Sequence, residues 1–234
     1  MPPVKADQYV LDLPRRSEMQ ARDFSVSSSN RRAVALVNAW PDWPGPVAVI
    51  AGPAGCGKTH LLKVWQARSS ARLLDPDQLG DVDALAELVE DTPHLGLDAV
   101  DEHLPTPDLE PKLFHLINLV RDAGGSLLLT CREAPAFWPI DLRDLITRLR
   151  AAPVMQIEAP DDALLAGLLV KLFDDRQLAV DPKLIDWLLT HMERSFTEAH
   201  RVVDRLDQAA LSTGRKLSPR LAKDVLDELH NTAC

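Results

Sequence analysis

The chain has 234 residues, and its 26 lysines and arginines stand against 35 aspartates and glutamates, for a formal net charge of -9. A chain this acidic lacks the basic face that neutralises DNA phosphates, so we expect no direct sequence-specific DNA binding. Aromatic residues make up only 5%, which disfavours a base-stacking platform. With no apolar run of about 18 residues and no disulfide or metal pattern among its three cysteines, the sequence predicts a cytoplasmic protein that does not contact a membrane.

The sequence of the first part of the chain predicts an arm followed by alternating strands and helices. Residues 1–22 are polar apart from one apolar island and predict an extended arm. Short β-branched or apolar runs bounded by Gly, Pro or polar residues predict strands. These lie at residues 47–52, 71–74, 95–98, 126–130 and 154–158. Apolar residues at helical spacing predict helices between them, at residues 31–40, 59–68, 82–90 and 112–122. Strands alternating with helices predict an α/β domain with a parallel sheet, over residues 23–159.

The pattern changes after residue 160. Four segments with helical spacing follow one another with no strand between them, at residues 161–176, 183–191, 197–212 and 219–229. The sequence therefore predicts a small all-α domain over residues 160–234, appended to the α/β domain.

A complete phosphate-binding motif follows the first predicted strand. The run GPAGCGKT at residues 52–59 matches G-x-x-x-x-G-K-[ST] and opens a predicted helix. Backbone N–H groups of such a loop surround a phosphate, Lys58 reaches the β- and γ-phosphates, and the Thr59 hydroxyl ligates Mg²⁺. The alternative is a Gly-rich turn with no ligand. The predicted nucleotide-binding residues of the loop are Gly52, Pro53, Ala54, Gly55, Cys56, Gly57, Lys58 and Thr59.

The metal site of a P-loop protein also needs an acidic residue at a strand end. Asp98 is the candidate Mg²⁺ ligand, and the alternative is a solvated loop carboxylate. Ala99 follows it, where many P-loop ATPases have a second carboxylate that polarises the attacking water. Asp101 and Glu102 lie beyond the strand end and are weaker candidates for that role. We therefore expect weak or absent ATP hydrolysis by the chain itself.

Several segments resemble the DnaA family of replication initiators. Residues 52–62, GPAGCGKTHLL, are similar to the family's GKTHLL run, which includes His60. Residues 23–33, DFSVSSSNRRA, resemble the segment that helps to hold adenine and supply Asn30 as a candidate contact. Residues 127–135, LLLTCREAP, resemble the strand that senses the γ-phosphate, with Thr130 at its end, although Arg132 replaces the usual Asp. The resemblance implies an AAA+ fold, a P-loop base with a parallel sheet followed by a helical lid, that binds ADP or ATP with Mg²⁺.

The resemblance extends to an arginine finger and to the lid. Residues 142–161 are similar to the segment in which an arginine acts on a neighbouring protein's nucleotide, and the match places Arg148 there as the catalytic residue in trans. Arg143 and Arg150 flank it, and the alternative is an ion pair of Arg148 with Asp144. In the lid, Thr197 stands at the position of the family's sensor arginine, and Arg201 is the candidate substitute on the same helix face.

The arm resembles a clamp-binding peptide. Gln8, Tyr9, Leu11 and Leu13 are similar to the Q-L-x-L-x-L motif with which DnaA-homologous regulators bind the DNA polymerase sliding clamp. The alternatives are an edge strand or a tail packed on the protein's own core. The sequence also shows no DNA-binding region after the lid, and this absence favours a regulator over an initiator.

The resemblance therefore implies a nucleotide-bound regulator that docks on the sliding clamp and stimulates hydrolysis of ATP bound to DnaA, which prevents re-initiation. Its expected partners are DnaA and the clamp. The sequence does not decide whether the chain also forms a homo-oligomer. One alternative is an ATPase of the helicase-loader type with its own turnover. Another is an AAA+ adaptor that has lost its nucleotide, which the threonine at position 197 favours.

Overall fold

A computed structural model describes residues 28–104, 106 and 108–232, and places side chains up to residue 229. A parallel five-stranded sheet has the strand order β2-β3-β4-β1-β5. Its strands are β1 (Val47–Ala51), β2 (Arg72–Leu74), β3 (His94–Leu97), β4 (Ser126–Cys131) and β5 (Val154–Gln156). Every residue of β1 and β4 is buried, as expected for central strands of a parallel sheet that is covered on both faces.

Helices cover the sheet and form the lid. The base helices are α1 (Arg31–Asn38), α2 (Lys58–Ser69), α3 (Val82–Asp91), α4 (Val100–His103), α5 (Leu109–Asp122) and α6 (Arg143–Ala151). The lid helices are α7 (Asp162–Asp175), α8 (Pro182–His191), α9 (Phe196–Thr213) and α10 (Pro219–Thr232). No helix in the described part of the chain is long and apolar enough to cross a membrane.

Strand β1 shows how the sheet divides the core. Alternate side chains of a strand point to opposite faces. Val49 belongs to the cluster that contains buried residues of α3 to α6, whereas Ile50 belongs to the cluster formed with α1 and α2. The base is therefore a three-layered α/β structure with two apolar layers, one on each side of the sheet.

The lid has a third apolar cluster of its own. Residues of all four lid helices contribute to it, including the fully buried Leu169, Phe173, Leu188 and Val202. The prediction of a parallel-sheet base followed by an all-α lid is confirmed.

The parallel strands bring the predicted site residues to one edge. In a parallel sheet the carboxyl ends of the strands lie side by side, and ligands bind in the crevice outside them. Ile50 of β1 is in register with Thr130 of β4, and Leu97 of β3 with Leu129 of the same strand. Gly52 and Asp98 therefore emerge on either side of the end of β4.

The short helix α4 was not predicted from the sequence. It begins directly after Ala99, whose backbone is left-handed with φ 51° and ψ 42°. The turn removes residue 98 from the strand, so β3 ends at Leu97, one residue before the predicted end. A non-glycine residue in this conformation carries strain of about 1–2 kcal/mol.

Candidate nucleotide site

The phosphate loop is held at its start and at its lysine by backbone groups. The Gly52 N–H donates to the carbonyl of Cys131 at 3.1 Å, which fixes the loop to the end of β4. Lys58 is buried, and its Nζ donates to the carbonyl oxygens of Gly52 at 2.7 Å and Pro53 at 2.8 Å. The loop is therefore folded around its own lysine. Gly57 precedes α2 with φ 102°, a conformation that an L side chain rarely adopts.

The lid touches the loop directly. The Phe196 N–H, at the start of α9, donates to the Gly55 carbonyl at 2.8 Å. A Cβ added to Gly55 would lie 2.6 Å from the Ser195 Cβ and 3.2 Å from the Thr197 Oγ1. Only glycine fits at this close approach, and the residue at the sensor position, Thr197, lies next to the phosphate loop.

The two predicted Mg²⁺ ligands are adjacent. The Thr59 hydroxyl donates to Asp98 Oδ2 at 2.7 Å, and the buried Thr130 hydroxyl donates to Asp98 Oδ1. The Ala99 N–H in turn donates to Thr130 Oγ1 at 2.9 Å. Hydroxyl and carboxylate oxygens are ligands that Mg²⁺ prefers, so this set of donors fits the cation. The predicted γ-phosphate sensor, Thr130, is bonded to the metal-ligand candidate and to the backbone beside it.

Both carboxylates after Ala99 are engaged through one oxygen each, while Asp101 Oδ1 is buried and has no hydrogen-bond partner in the described part of the chain. Asp101 Oδ2 accepts hydrogen bonds from the Arg132 N–H at 2.8 Å and the Glu133 N–H at 3.0 Å. Glu102 Oε1 forms an ion pair with Arg132 Nε at 2.8 Å. Both side chains therefore hold the segment that follows β4. Arg132, which stands where the DnaA family usually has Asp, is thus paired with Glu102.

One cysteine, Cys56, belongs to the phosphate loop, and another, Cys131, ends β4. Cys56 and Cys131 are both free and buried. Burial raises the pKa of Cys131 to about 12, helped by the negative charge of Asp101 and opposed by the positive charge of Lys58. Burial also raises the pKa of Cys56, although the positive charge of Lys58 acts to lower it. Both side chains are therefore protonated at neutral pH, and Cys56 contributes to the loop through its backbone and its packing.

The remaining predicted nucleotide contacts lie around this edge. Asn30 is buried at the start of α1, and the preceding Ser29 accepts a hydrogen bond from the Glu158 N–H at 3.0 Å, just after β5. His60 is half-buried in the first turn of α2, while Pro53 and Ala54 are exposed at the loop tip. Arg201, on α9, is exposed and lies 3.9 Å from Glu198 Oε2 in an ion pair of its own helix.

Arg148 lies in the last turn of α6 against an aromatic ring. Its Cζ is 5.1 Å from the centroid of Phe114 on α5. Within the described residues, no ion pair joins Arg148 to Asp144 or to any other carboxylate. Arg143 and Arg150 are more exposed than Arg148. The contact with Phe114 was not anticipated, and the sequence carries no local signal for it because the two residues belong to different helices.

Gln8, Tyr9, Leu11 and Leu13 lie outside the described residues, so the predicted clamp-binding segment stays a prediction.

The family model for the lid domain of Hda matches residues 163–226. The DnaA protein of Sphingopyxis alaskensis is 26% identical over 226 residues, which cover 89% of this chain and 49% of that protein. The chain spans about half the length of the curated relatives that it matches.

Solved structures of DnaA have the same fold. Domain III of Thermotoga maritima DnaA superimposes with a TM-score of 0.75 at 16% identity, covering 92% of this chain and 98% of that domain. AMPPCP-bound DnaA from Aquifex aeolicus has a TM-score of 0.69 at 19% identity, covering 82% of this chain and 65% of that one. Together with the lid match and the DnaA relative, they bear out the resemblance found in the sequence: the chain has the AAA+ fold of DnaA domain III, and residues 163–226 match the lid domain of Hda.

Proposed function

We propose that this chain is a nucleotide-bound regulator of DnaA that stimulates hydrolysis of initiator-bound ATP in trans. The observation that carries the proposal is a phosphate loop with two adjacent candidate Mg²⁺ ligands, Thr59 and Asp98, followed by Ala99 and by two carboxylates that each engage the segment after β4 through one oxygen. Such a site is suited to holding a nucleotide, but Ala99 stands where many P-loop ATPases have the carboxylate that polarises the attacking water. Weak or absent hydrolysis by the chain itself follows.

The ligand that we propose is ADP or ATP with Mg²⁺. The phosphate loop and the start of α2 offer backbone N–H groups and a helix N-terminus to the phosphates. The fold shared with AMPPCP-bound DnaA supports an adenine nucleotide. When bound, Mg²⁺ would neutralise phosphate charge, and Thr59 and Asp98 would hold it.

Arg148 is the residue that we propose acts on DnaA. Its guanidinium has no carboxylate partner in the described part of the chain, so its N–H donors remain available to the phosphates of a neighbouring protein's nucleotide. An arginine delivered in trans accelerates phosphoryl transfer by about 10³–10⁵ in systems that use one. Arg143 and Arg150 would add positive charge to the same helix.

The arm would bring the regulator to its place of action. We propose that Gln8, Tyr9, Leu11 and Leu13 dock on the sliding clamp, with the glutamine at the pocket rim and the apolar side chains in its subsites. The acidic chain would then reach DNA through the clamp and without direct sequence-specific contacts. Replacing Leu11 and Leu13 together with alanine should abolish clamp pull-down, and undiminished binding would remove this part of the proposal.

The proposal is tested by reconstitution. DnaA loaded with labelled ATP is mixed with the full chain, ADP, and the sliding clamp loaded on DNA, and phosphate release is followed with each component omitted in turn. We expect accelerated hydrolysis only with the complete set and slow release from the chain with ATP alone. Rapid release from the chain alone, with no effect on DnaA, would favour a helicase-loader-type ATPase instead.

One observation favours a second candidate, an AAA+ adaptor that works without nucleotide. Lys58 is bonded to carbonyls of its own loop, and the lid donates to Gly55, so the loop is stabilised by the chain's own groups. Denaturing freshly purified protein and chromatographing the released nucleotide separates the two. Near-stoichiometric ADP or ATP supports the regulator, whereas an empty protein that takes up no labelled ADP supports the adaptor.

A further inference from the structure

We propose that Phe114 is the positioning residue for Arg148, and that its ring orients the guanidinium before the partner's nucleotide arrives. It rests on the proposed function, in which Arg148 acts on the nucleotide bound to DnaA. It begins from one contact, the Arg148 Cζ at 5.1 Å from the Phe114 ring centroid, between two half-buried side chains.

The chemistry of this contact suits an arginine that must bind phosphate. A carboxylate partner would orient Arg148 but would also neutralise it and occupy its N–H donors. An aromatic face attracts the cation through its quadrupole and accepts no conventional hydrogen bond from the edge of the guanidinium. The ring therefore restricts the side chain while leaving the charge and the donors for a ligand.

The two helices are fixed to each other independently of this contact. Glu110, four residues before Phe114 and so on the same face of α5, accepts hydrogen bonds from the N–H groups of Asp141 at 3.1 Å and Leu142 at 2.9 Å. These groups lie at the N-terminal end of α6. Leu145 and Leu149 of α6 are buried in the core that α5 also helps to form.

Helix α5 thus supports α6 at two places with different roles. Glu110 and the buried leucines hold the α6 backbone, and Phe114 contacts the side chain of Arg148. Replacing the ring with an aliphatic group of similar size should leave α6 in place and free the guanidinium to adopt other rotamers. The loss should therefore appear in the stimulated rate at saturation, and not in the concentration at which the proteins assemble.

The test uses the full chain in the DnaA hydrolysis assay, with the maximal stimulated rate and the half-saturating concentration measured separately. We expect Phe114→Leu to lower the maximal rate by about 5- to 20-fold, the range that corresponds to losing a partly desolvated cation–π contact. The half-saturating concentration should stay within about twofold of wild type. Phe114→Tyr, which keeps a ring, should restore the rate.

A double-mutant cycle separates positioning from a general effect on structure. In an Arg148→Lys background, which keeps a cation and so part of the stimulation, Phe114→Leu should cause a smaller loss, because the guanidinium that the ring orients is gone. Independent losses that multiply, or a rise in half-saturating concentration at an unchanged maximal rate, would overturn the inference. If circular dichroism shows Phe114→Leu to be unfolded at the assay temperature, Phe114→Met takes its place in the assay and is judged by the same criteria.

Failure of the inference and failure of the proposed function give different results. If Arg148→Ala abolishes stimulation but Phe114→Leu keeps the full rate, only the positioning role is overturned. If Arg148→Ala stimulates as well as wild type, the action of Arg148 in trans is wrong, and the role of Phe114 falls with it.

Discussion

The Thr59 hydroxyl donates a hydrogen bond to Asp98 Oδ2 at 2.7 Å, and this bond joins the first turn of α2 to the end of β3. The two residues are the chain's candidate Mg²⁺ ligands. Their oxygens belong to separate elements, and the parallel sheet brings them together at its carboxyl edge.

Removing the hydroxyl should weaken nucleotide binding only when magnesium is present. Thr59→Val keeps the shape of the side chain and removes one oxygen ligand of the cation. We expect affinity for fluorescent ADP to fall about tenfold in Mg²⁺, the size of a lost metal-site partner, and to change little in EDTA. Fluorescence titration in the two buffers measures the difference.

Thr147→Val is the matched control, because the Thr147 hydroxyl donates only to the Arg143 carbonyl on the exposed side of α6. It should bind ADP like wild type in both buffers. Equal weakening of Thr59→Val with and without Mg²⁺ would contradict a role for this hydroxyl in holding the cation.

Strain at Ala99 gives a prediction for stability. The residue has φ 51° and ψ 42°, which glycine adopts without the Cβ penalty. Ala99→Gly should therefore raise the free energy of unfolding by about 1 kcal/mol, in contrast to the usual effect of this substitution. Urea denaturation followed by circular dichroism measures the change.

Ala84, exposed in the first turn of α3, provides the comparison. Ala84→Gly in an ordinary helical conformation should lower the free energy of unfolding by about 0.5–1 kcal/mol. If both glycines destabilise the protein equally, the backbone at Ala99 is not left-handed in solution.

The buried thiols predict loss of stability in alkali. Burial raises the pKa of Cys131 to about 12, above the 9.0 expected of an unperturbed thiol. Between these values the unfolded chain releases the proton and the folded protein keeps it, so the free energy of unfolding falls as pH rises. The slope for one such thiol is about 1.4 kcal/mol per pH unit. Stability that depends on the protonated thiol is fully present below pH 9.

Cys131→Ala should make this alkaline decline shallower, although its stability at pH 7 falls because a buried side chain is shortened. Part of the slope should remain, since burial also raises the pKa of Cys56. Urea titrations at several pH values above 9 give the slope for each protein. An identical slope in wild type and Cys131→Ala would show that Cys131 is not protected from ionisation in the fold.

The sequence predicted the elements of this site that depend on local patterns. The phosphate loop was recognisable because its glycines, Lys58 and Thr59 lie within eight consecutive residues between a β-rich run and a helix. Asp98 was recognisable because it ends an apolar run. The residues that define each of these features are close together in the sequence, so a local pattern is enough to predict them.

Contacts between distant segments were not predicted. Nothing near Asp101 indicates that its carboxylate will accept hydrogen bonds from the backbone after β4, and nothing near Gly55 indicates that Phe196 of the lid will donate to it. The left-handed turn at Ala99 was also missed, because alanine normally favours a right-handed helix. Such contacts depend on how the elements pack, which periodicity alone does not specify.

The most direct measurement of the central claim compares Arg148→Ala with Arg150→Ala in the hydrolysis of DnaA-bound ATP, with ADP and the sliding clamp loaded on DNA. Both remove one arginine from α6, and Arg150 is an exposed residue two positions further along. We expect Arg148→Ala to lose stimulation by at least about 10³-fold, and Arg150→Ala to retain most of it. Stimulation by Arg148→Ala that equals wild type, or an equal loss in both variants, would contradict the account.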